Sequence, residues 1–255
     1  MLPKEPKRQY QAIGLKLHGL IAQGTYEVGD RLPPEREIAL LYGVNRAVVR
    51  EALIMLELEG LIEIRKGSGI YVIAQPEPQS QQATPESIAK PDDIGPFEYL
   101  QARQLFESQL AELAALQVTK NDIKAMNQAL VNEQQALASG DNSYDGDKNF
   151  HLAIAKATQN SLLEDMLEAL WQRRTNSPMW KKLHTHIINQ SYRQEWLGDH
   201  QKILTAIKMK NPQEAKESMW QHLENVKQRL FELSDVNDPE FDGYLFASAP
   251  LKVQQ

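Results

Sequence analysis

Residues 44–73 read VNRAVVREALIMLELEGLIEIRKGSGIYVI and combine three signals in one run. Asn45 is a favoured N-cap at the start of an apolar-periodic segment. Val48, Val49, Ala52, Leu53, Leu56 and Leu58 give that segment a broad apolar side, and Gly60 ends it. Residues 61–64 and 70–73 then form two short β-branched runs around a Gly-containing turn, a hairpin signal.

Working outward, residues 9–23 and 34–42 carry two more helical patterns, the second stopped by Gly43. Two short helices joined by a tight turn and followed by a strand pair predict a winged helix-turn-helix. A helix of this kind enters the DNA major groove with its N-terminal residues at the base edges. Arg46 and Arg50 are i, i+4 near that end, so they share a face. Guanidinium groups pair bidentately with guanine or phosphate. Arg65 and Lys66 place cations at the hairpin tip, where Gly67 and Gly69 permit close backbone approach. Taken alone, the arginine pair better suits a solvated face salt-bridged to Glu51 or another carboxylate; its place in a helix-turn-helix favours DNA.

The composition is that of a globular chain. The 255 residues are 42% hydrophobic and 24% charged, with net charge −6. There is no cysteine, which excludes disulfides, thiolate nucleophiles and thiolate metal sites. MLPKEPKRQY lacks the apolar run of a signal peptide, and no apolar stretch is long enough to span a bilayer. A cytoplasmic protein is expected. Residues 1–75 hold 10 Lys+Arg against 9 Asp+Glu; the remainder holds 18 against 25, a balance of −7. DNA contact must therefore come from locally placed cations, not from a bulk field.

Residues 76–96, with Pro76, Pro78, Pro85, Pro91 and Pro96, predict a linker. The expected organisation is a DNA-binding domain over 1–75, that linker, an all-helical domain over 97–235, and a partly ordered tail over 236–255. Helices are expected at 97–117, 119–139, 144–157, 161–186, 192–209 and 212–233. Thr119 with Asp122 and Ser161 with Glu164 resemble capping boxes, and Pro212 follows Asn211 as N1 follows an N-cap. The fold class is thus mostly α: a winged helix-turn-helix plus an all-α antiparallel bundle.

Asp147 and His151 are i, i+4 on one predicted helix, and His200 and His222 lie on two later ones. Bundles gather metal ligands from several helices. Nitrogen and carboxylate ligands without sulfur suit zinc, nickel, manganese or iron. By spacing alone the Asp–His pair more often marks a surface hydrogen bond, His200 after Asp199 fits a first-turn residue, and His222 fits a satisfied core histidine.

The run GDRLPPEREIALLYGVNRAVVREALIMLELEGLIEIRKGSGIYV resembles the winged-helix domain of GntR-family bacterial regulators. The resemblance implies that Arg36, Asn45, Arg46, Ala47 and Arg50 approach DNA, with Lys66 and Gly67 in the wing. Asn45 and Ala47 stand where hydroxyl residues are frequent, so a hydrogen bond at position 47 is in doubt. Residues 97–233 are similar to the ligand-binding domain of the FadR-type subgroup. This implies a metal site of Asp147, His151, His200 and His222. It also implies a small organic-acid effector on the ion, aided by Arg103, whose alternative is an intrahelical pair with Glu107. ATQNS, the segments around MWKKLH and MWQHLEN, and the terminal YLFA narrow the likeness to hexuronate-utilisation repressors. The implied function is a homodimeric repressor that leaves a near-palindromic operator when galacturonate or glucuronate binds. A metal-dependent enzyme on sugar acids and a regulator sensing the metal itself are the alternatives.

Overall fold

The computed structural model describes residues 8–65, 68–76, 94–140, 144–186 and 192–234. The expected linker, apart from its ends, and the expected tail lie outside them, as do Lys66 and Gly67. The described residues are mostly helical, with one two-stranded sheet. No helix among them is long and apolar enough to cross a membrane.

The chain divides into two compact units. The first gathers described residues of Met1–Phe97, Pro178–His186 and Phe231–Gln255; the second comprises those of Glu98–Ser177 and Ile187–Leu230.

In the first unit, α1 (Gln9–Ala22), α2 (Glu35–Tyr42) and α3 (Arg46–Leu58) precede β1 (Ile62–Arg65) and β2 (Gly69–Val72). Gly43 closes α2 at φ 63°, a left-handed conformation that glycine adopts without a Cβ penalty. Asn45 then caps α3, its side chain accepting from Val48 N at 2.9 Å. The two strands pair antiparallel with Ile62 opposite Val72 and Arg65 opposite Gly69. Leu32 N donates to Ile70 O at 2.8 Å, tying the segment before α2 to the hairpin. Ile13, Leu17 and Ile21 of α1 and Val49, Leu53 and Leu56 of α3 are core residues. The helix-turn-helix and its wing are therefore present as the sequence predicts.

The second unit is built from α4 (Pro96–Gln117), α5 (Lys120–Ser139), α6 (Asp145–Ala157), α7 (Ser161–Asn176), α9 (Tyr192–Lys208) and α10 (Pro212–Ser234). The outermost residues of α4 and α10 fall in the first unit. Thr119 and Asp122 form the predicted capping box on α5. Asn211 accepts from Glu214 N at 3.2 Å and caps α10.

Two details differ from the sequence reading. The cap of α7 is Asn160, whose side chain accepts from Leu162 N and Leu163 N, not a Ser161–Glu164 box. The helix expected over 161–186 is two helices, α7 and α8 (Pro178–Thr185). Ser177 between them is extended, at φ −70° and ψ 120°. The ring of Pro178 disfavours helical geometry in the preceding residue, which breaks the run there.

Ala111, Ala114, Met126, Phe150, Ile154, Ile203, Met219 and Leu223 belong to the main core cluster of the second unit. His151, His200 and His222 lie on α6, α9 and α10, three of the helices that build it.

Candidate metal centre and DNA-reading helix

The four residues singled out as ligands converge. One ligand atom each from Asp147, His151, His200 and His222 lies within 4.8 Å of every other. All four are between 0% and 6% exposed. Asp147 and His151 are presented by one face of α6, with His151 Nε2 3.4 Å from Asp147 Oδ1. His200 Nε2 is 3.6 Å from the same oxygen and 3.2 Å from His222 Nε2.

The outer nitrogens explain why the inner ones converge. His151 Nδ1 donates to Glu107 Oε2 on α4. His200 Nδ1 donates to Glu133 Oε2 on α5 at 2.9 Å. Asp199 Oδ2 lies 3.7 Å from His222 Nδ1, longer than a hydrogen bond, and the same oxygen accepts from Asn225 Nδ2 at 2.8 Å. A carboxylate behind Nδ1 fixes the tautomer and leaves the Nε2 lone pair pointing inward. Gly146 permits the close approach of α6 to α5: a Cβ there would meet Glu133 Cα and Cβ at 2.6 Å.

Burial lowers the His151 imidazole, but Glu107 and Asp147 outweigh it and raise it above the ordinary value. Burial would raise the Asp147 carboxyl, but His151, His200 and Arg174 outweigh it and hold it well below the usual carboxylate range. Burial likewise opposes ionisation of Glu107, which Arg103 and His151 nevertheless hold down to about 2. Burial lowers His222 to about 3, assisted by His200, so its imidazole is neutral.

The donor set fits a divalent metal ion. His151 Nε2 is buried and has no hydrogen-bond partner among the described residues. His200 Nε2 and His222 Nε2 face each other at 3.2 Å, with Asp147 Oδ1 3.6 Å from the former. Three nitrogens and a carboxylate oxygen are the usual ligands of such an ion.

Around this cluster stand cations and aromatic rings. The Arg103 guanidinium is 4.3 Å and the Arg174 guanidinium 4.7 Å from the Trp171 ring centroid. Arg103 Nε donates to Glu107 Oε1, so the intrahelical pair weighed from the sequence forms. Arg174 Nη1 lies 3.7 Å from Asp147 Oδ2. Glu133 and Gly146 have no part in the sequence reading, Asp199 enters it only as the residue before His200, and Glu107 only as a partner for Arg103. Asp199, adjacent to His200, carried the one local signal.

The expected DNA readers are placed unevenly. Arg36 is exposed on α2, and Asn45 and Arg46 are partly exposed at the start of α3. Arg46 Nη2 is 3.8 Å from Glu35 Oε2. Ala47 is 0% and Arg50 1% exposed. The Arg50 guanidinium is bound by the Glu35 carboxylate, donates to the Phe231 carbonyl at 3.0 Å, and stacks 4.4 Å from the Phe231 ring. In this arrangement neither Ala47 nor Arg50 offers its side chain to a duplex: one is core and the other is an internal ion pair.

Comparison with known proteins agrees with this architecture. Residues 9–72 match the family described as bacterial regulatory proteins, gntR family, and residues 98–225 match the FCD domain. The Uxu operon transcriptional regulator of Escherichia coli is 53% identical over 247 residues, covering 96% of this chain and 95% of that protein. The Uxu operon regulator of Haemophilus influenzae is 52% identical over 250 residues, with 96% and 91% covered. The Exu regulon transcriptional regulator of E. coli is 48% identical, with 97% and 94% covered. These are transcriptional regulators, not enzymes. The chain belongs to the GntR family of bacterial regulators, with an FCD domain of the FadR type as its C-terminal part.

Proposed function

We propose that this protein is a transcriptional repressor of hexuronate transport and catabolism genes. It binds operator DNA through α2, α3 and the wing, and leaves it when a hexuronate binds at a metal site in the FCD domain. The observation that carries the effector half is the convergence of Asp147, His151, His200 and His222 on one buried point. These four residues would hold the ion, and zinc suits them best. The ion supplies Lewis acidity toward the carboxylate and a neighbouring hydroxyl of a uronate. Arg103 and Arg174 add positive charge beside it, suited to an anionic ligand.

On the DNA side, the exposure of Arg36 and the partial exposure of Asn45 and Arg46 support their meeting a duplex, with Lys66 and Gly67 joining them on sequence grounds. Arg50 reaches DNA only if its contacts with Phe231 open. A homodimer would present two such helices to a near-palindromic operator, since two-fold protein symmetry is mirrored in the DNA.

Fluorescence anisotropy of a labelled operator fragment tests the reading. The zinc-loaded protein should bind, and galacturonate or glucuronate should release it. Release by zinc alone would make the ion itself the signal. Turnover of the uronate would make the protein an enzyme.

A further inference from the structure

Glu107 touches both halves of the proposed effector site. It is 1% exposed in the middle of α4. Its Oε2 accepts from Nδ1 of the candidate ligand His151, and its Oε1 accepts from Nε of Arg103, four residues earlier on the same helix. Arg103 Nη2 remains buried without a hydrogen-bond partner among the described residues. Trp171 lies against both sides of this chain of contacts, its ring centroid 5.9 Å from that of His151 and 4.3 Å from the Arg103 guanidinium.

We propose that Glu107 is a positioning residue that couples ion binding to acid binding. One oxygen holds the His151 ring with Nε2 toward the other ligands. The other holds the Arg103 guanidinium with Nη2 left to receive an anionic oxygen. An ordinary i, i+4 pair on a helix surface would spend its carboxylate on the arginine alone; here the second oxygen is bound to a ligand histidine.

Charge makes the coupling favourable. A divalent ion adds two positive charges beside the Arg103 and Arg174 guanidiniums and so raises the attraction of the site for a carboxylate. Ion binding thus strengthens acid binding, and linkage requires the acid to strengthen ion binding by the same factor. This inference rests on the reading of the cluster as a metal and acid site, and adds to direct ligation of the ion by the acid a residue that holds the groups meeting each of them.

The test uses the full chain, stripped of metal with a chelator, and zinc as the probe. Zinc affinity is measured by competition with a chromophoric chelator, with and without galacturonate or glucuronate. In wild type the uronate should tighten zinc by about 5–150-fold, the usual range of coupling between sites. Glu107→Gln should weaken zinc by about 10–100-fold, as loss of an outer partner of a ligand histidine does. It should also reduce the uronate-dependent gain. Arg103→Gln should reduce the gain as well, read as the ratio of that variant's own zinc affinities with and without uronate whatever its baseline, which makes it decisive if Glu107→Gln fails to fold by circular dichroism. A wild-type gain in either folded variant overturns the proposal. Independent binding of zinc and uronate by wild type overturns the coupling and leaves the metal-and-acid reading standing. A wild type that takes up no zinc, or neither uronate, defeats that reading and the coupling with it.

Discussion

Both units bury charge, but they resolve it differently. In the first, Arg50 is enclosed and satisfied: the Glu35 carboxylate and the Phe231 carbonyl take its hydrogens. In the second, three imidazoles and a carboxylate are enclosed with their ligand atoms facing one another, and His151 Nε2 has no hydrogen-bond partner among the described residues. A buried ion pair with its partners in place is complete. A buried ligand nitrogen left without a hydrogen-bond partner is not, and its incompleteness points to a ligand. Two sets of residues singled out by the same kind of motif thus acquire different roles from their surroundings.

That contrast can be broken at either end. The largest effect is expected at the incomplete cluster. His200→Ala or His222→Ala should abolish the operator's release by uronate while leaving operator affinity in the absence of uronate unchanged, read by anisotropy. A variant that still responds would remove that histidine from the effector site.

At the complete pair the expected loss is one of stability. Glu35→Ala strands the Arg50 guanidinium, which should cost about 3–5 kcal/mol in denaturant unfolding. A loss below about 1 kcal/mol, the level of an exposed pair, would show that Arg50 is solvated in solution. A smaller effect is expected at the residues proposed to meet DNA. Arg46→Ala should weaken operator binding by about 1–3 kcal/mol if it pairs with a base. An unchanged affinity and sequence preference would exclude such a contact.

The smallest effect concerns Glu59, the residue that follows α3. Burial raises its carboxyl to about 7, and its Oε1 is buried without a hydrogen-bond partner among the described residues. The folded value lies above the unfolded one, so its contribution is full at acid pH and is lost as pH rises through about 7. The melting point of Glu59→Gln should fall less than that of wild type between about pH 5 and pH 8. Parallel curves would contradict the assignment.

Much of this was legible in the sequence because it was local. Asn45 caps α3, Gly43 turns the chain in the left-handed region, and the hairpin register follows from two short β-branched runs. The i, i+4 spacing of Asp147 and His151 put both on one face. The convergence of His200 and His222 was given by family resemblance, since spacing between separate helices carries no distance.

What escaped was partnership across the fold. Glu133 lies 67 residues before the His200 it orients, in a polar stretch with no motif of its own. The burial of Arg50 depends on Phe231, 181 residues later. The i, i+4 rule placed Arg46 and Arg50 together correctly; it is silent on what covers them. The helix break at Ser177 was legible in principle, since Pro178 stood in view, and was overrun by the apolar periodicity on either side.

The most direct test of the central claim is the ion content of the purified full chain by native mass spectrometry, beside that of a His200→Ala, His222→Ala double variant. One divalent ion per wild-type chain and none in the double variant is the expected result. An ion-free wild type after incubation with zinc, nickel or manganese, or an ion retained by the double variant, would contradict it.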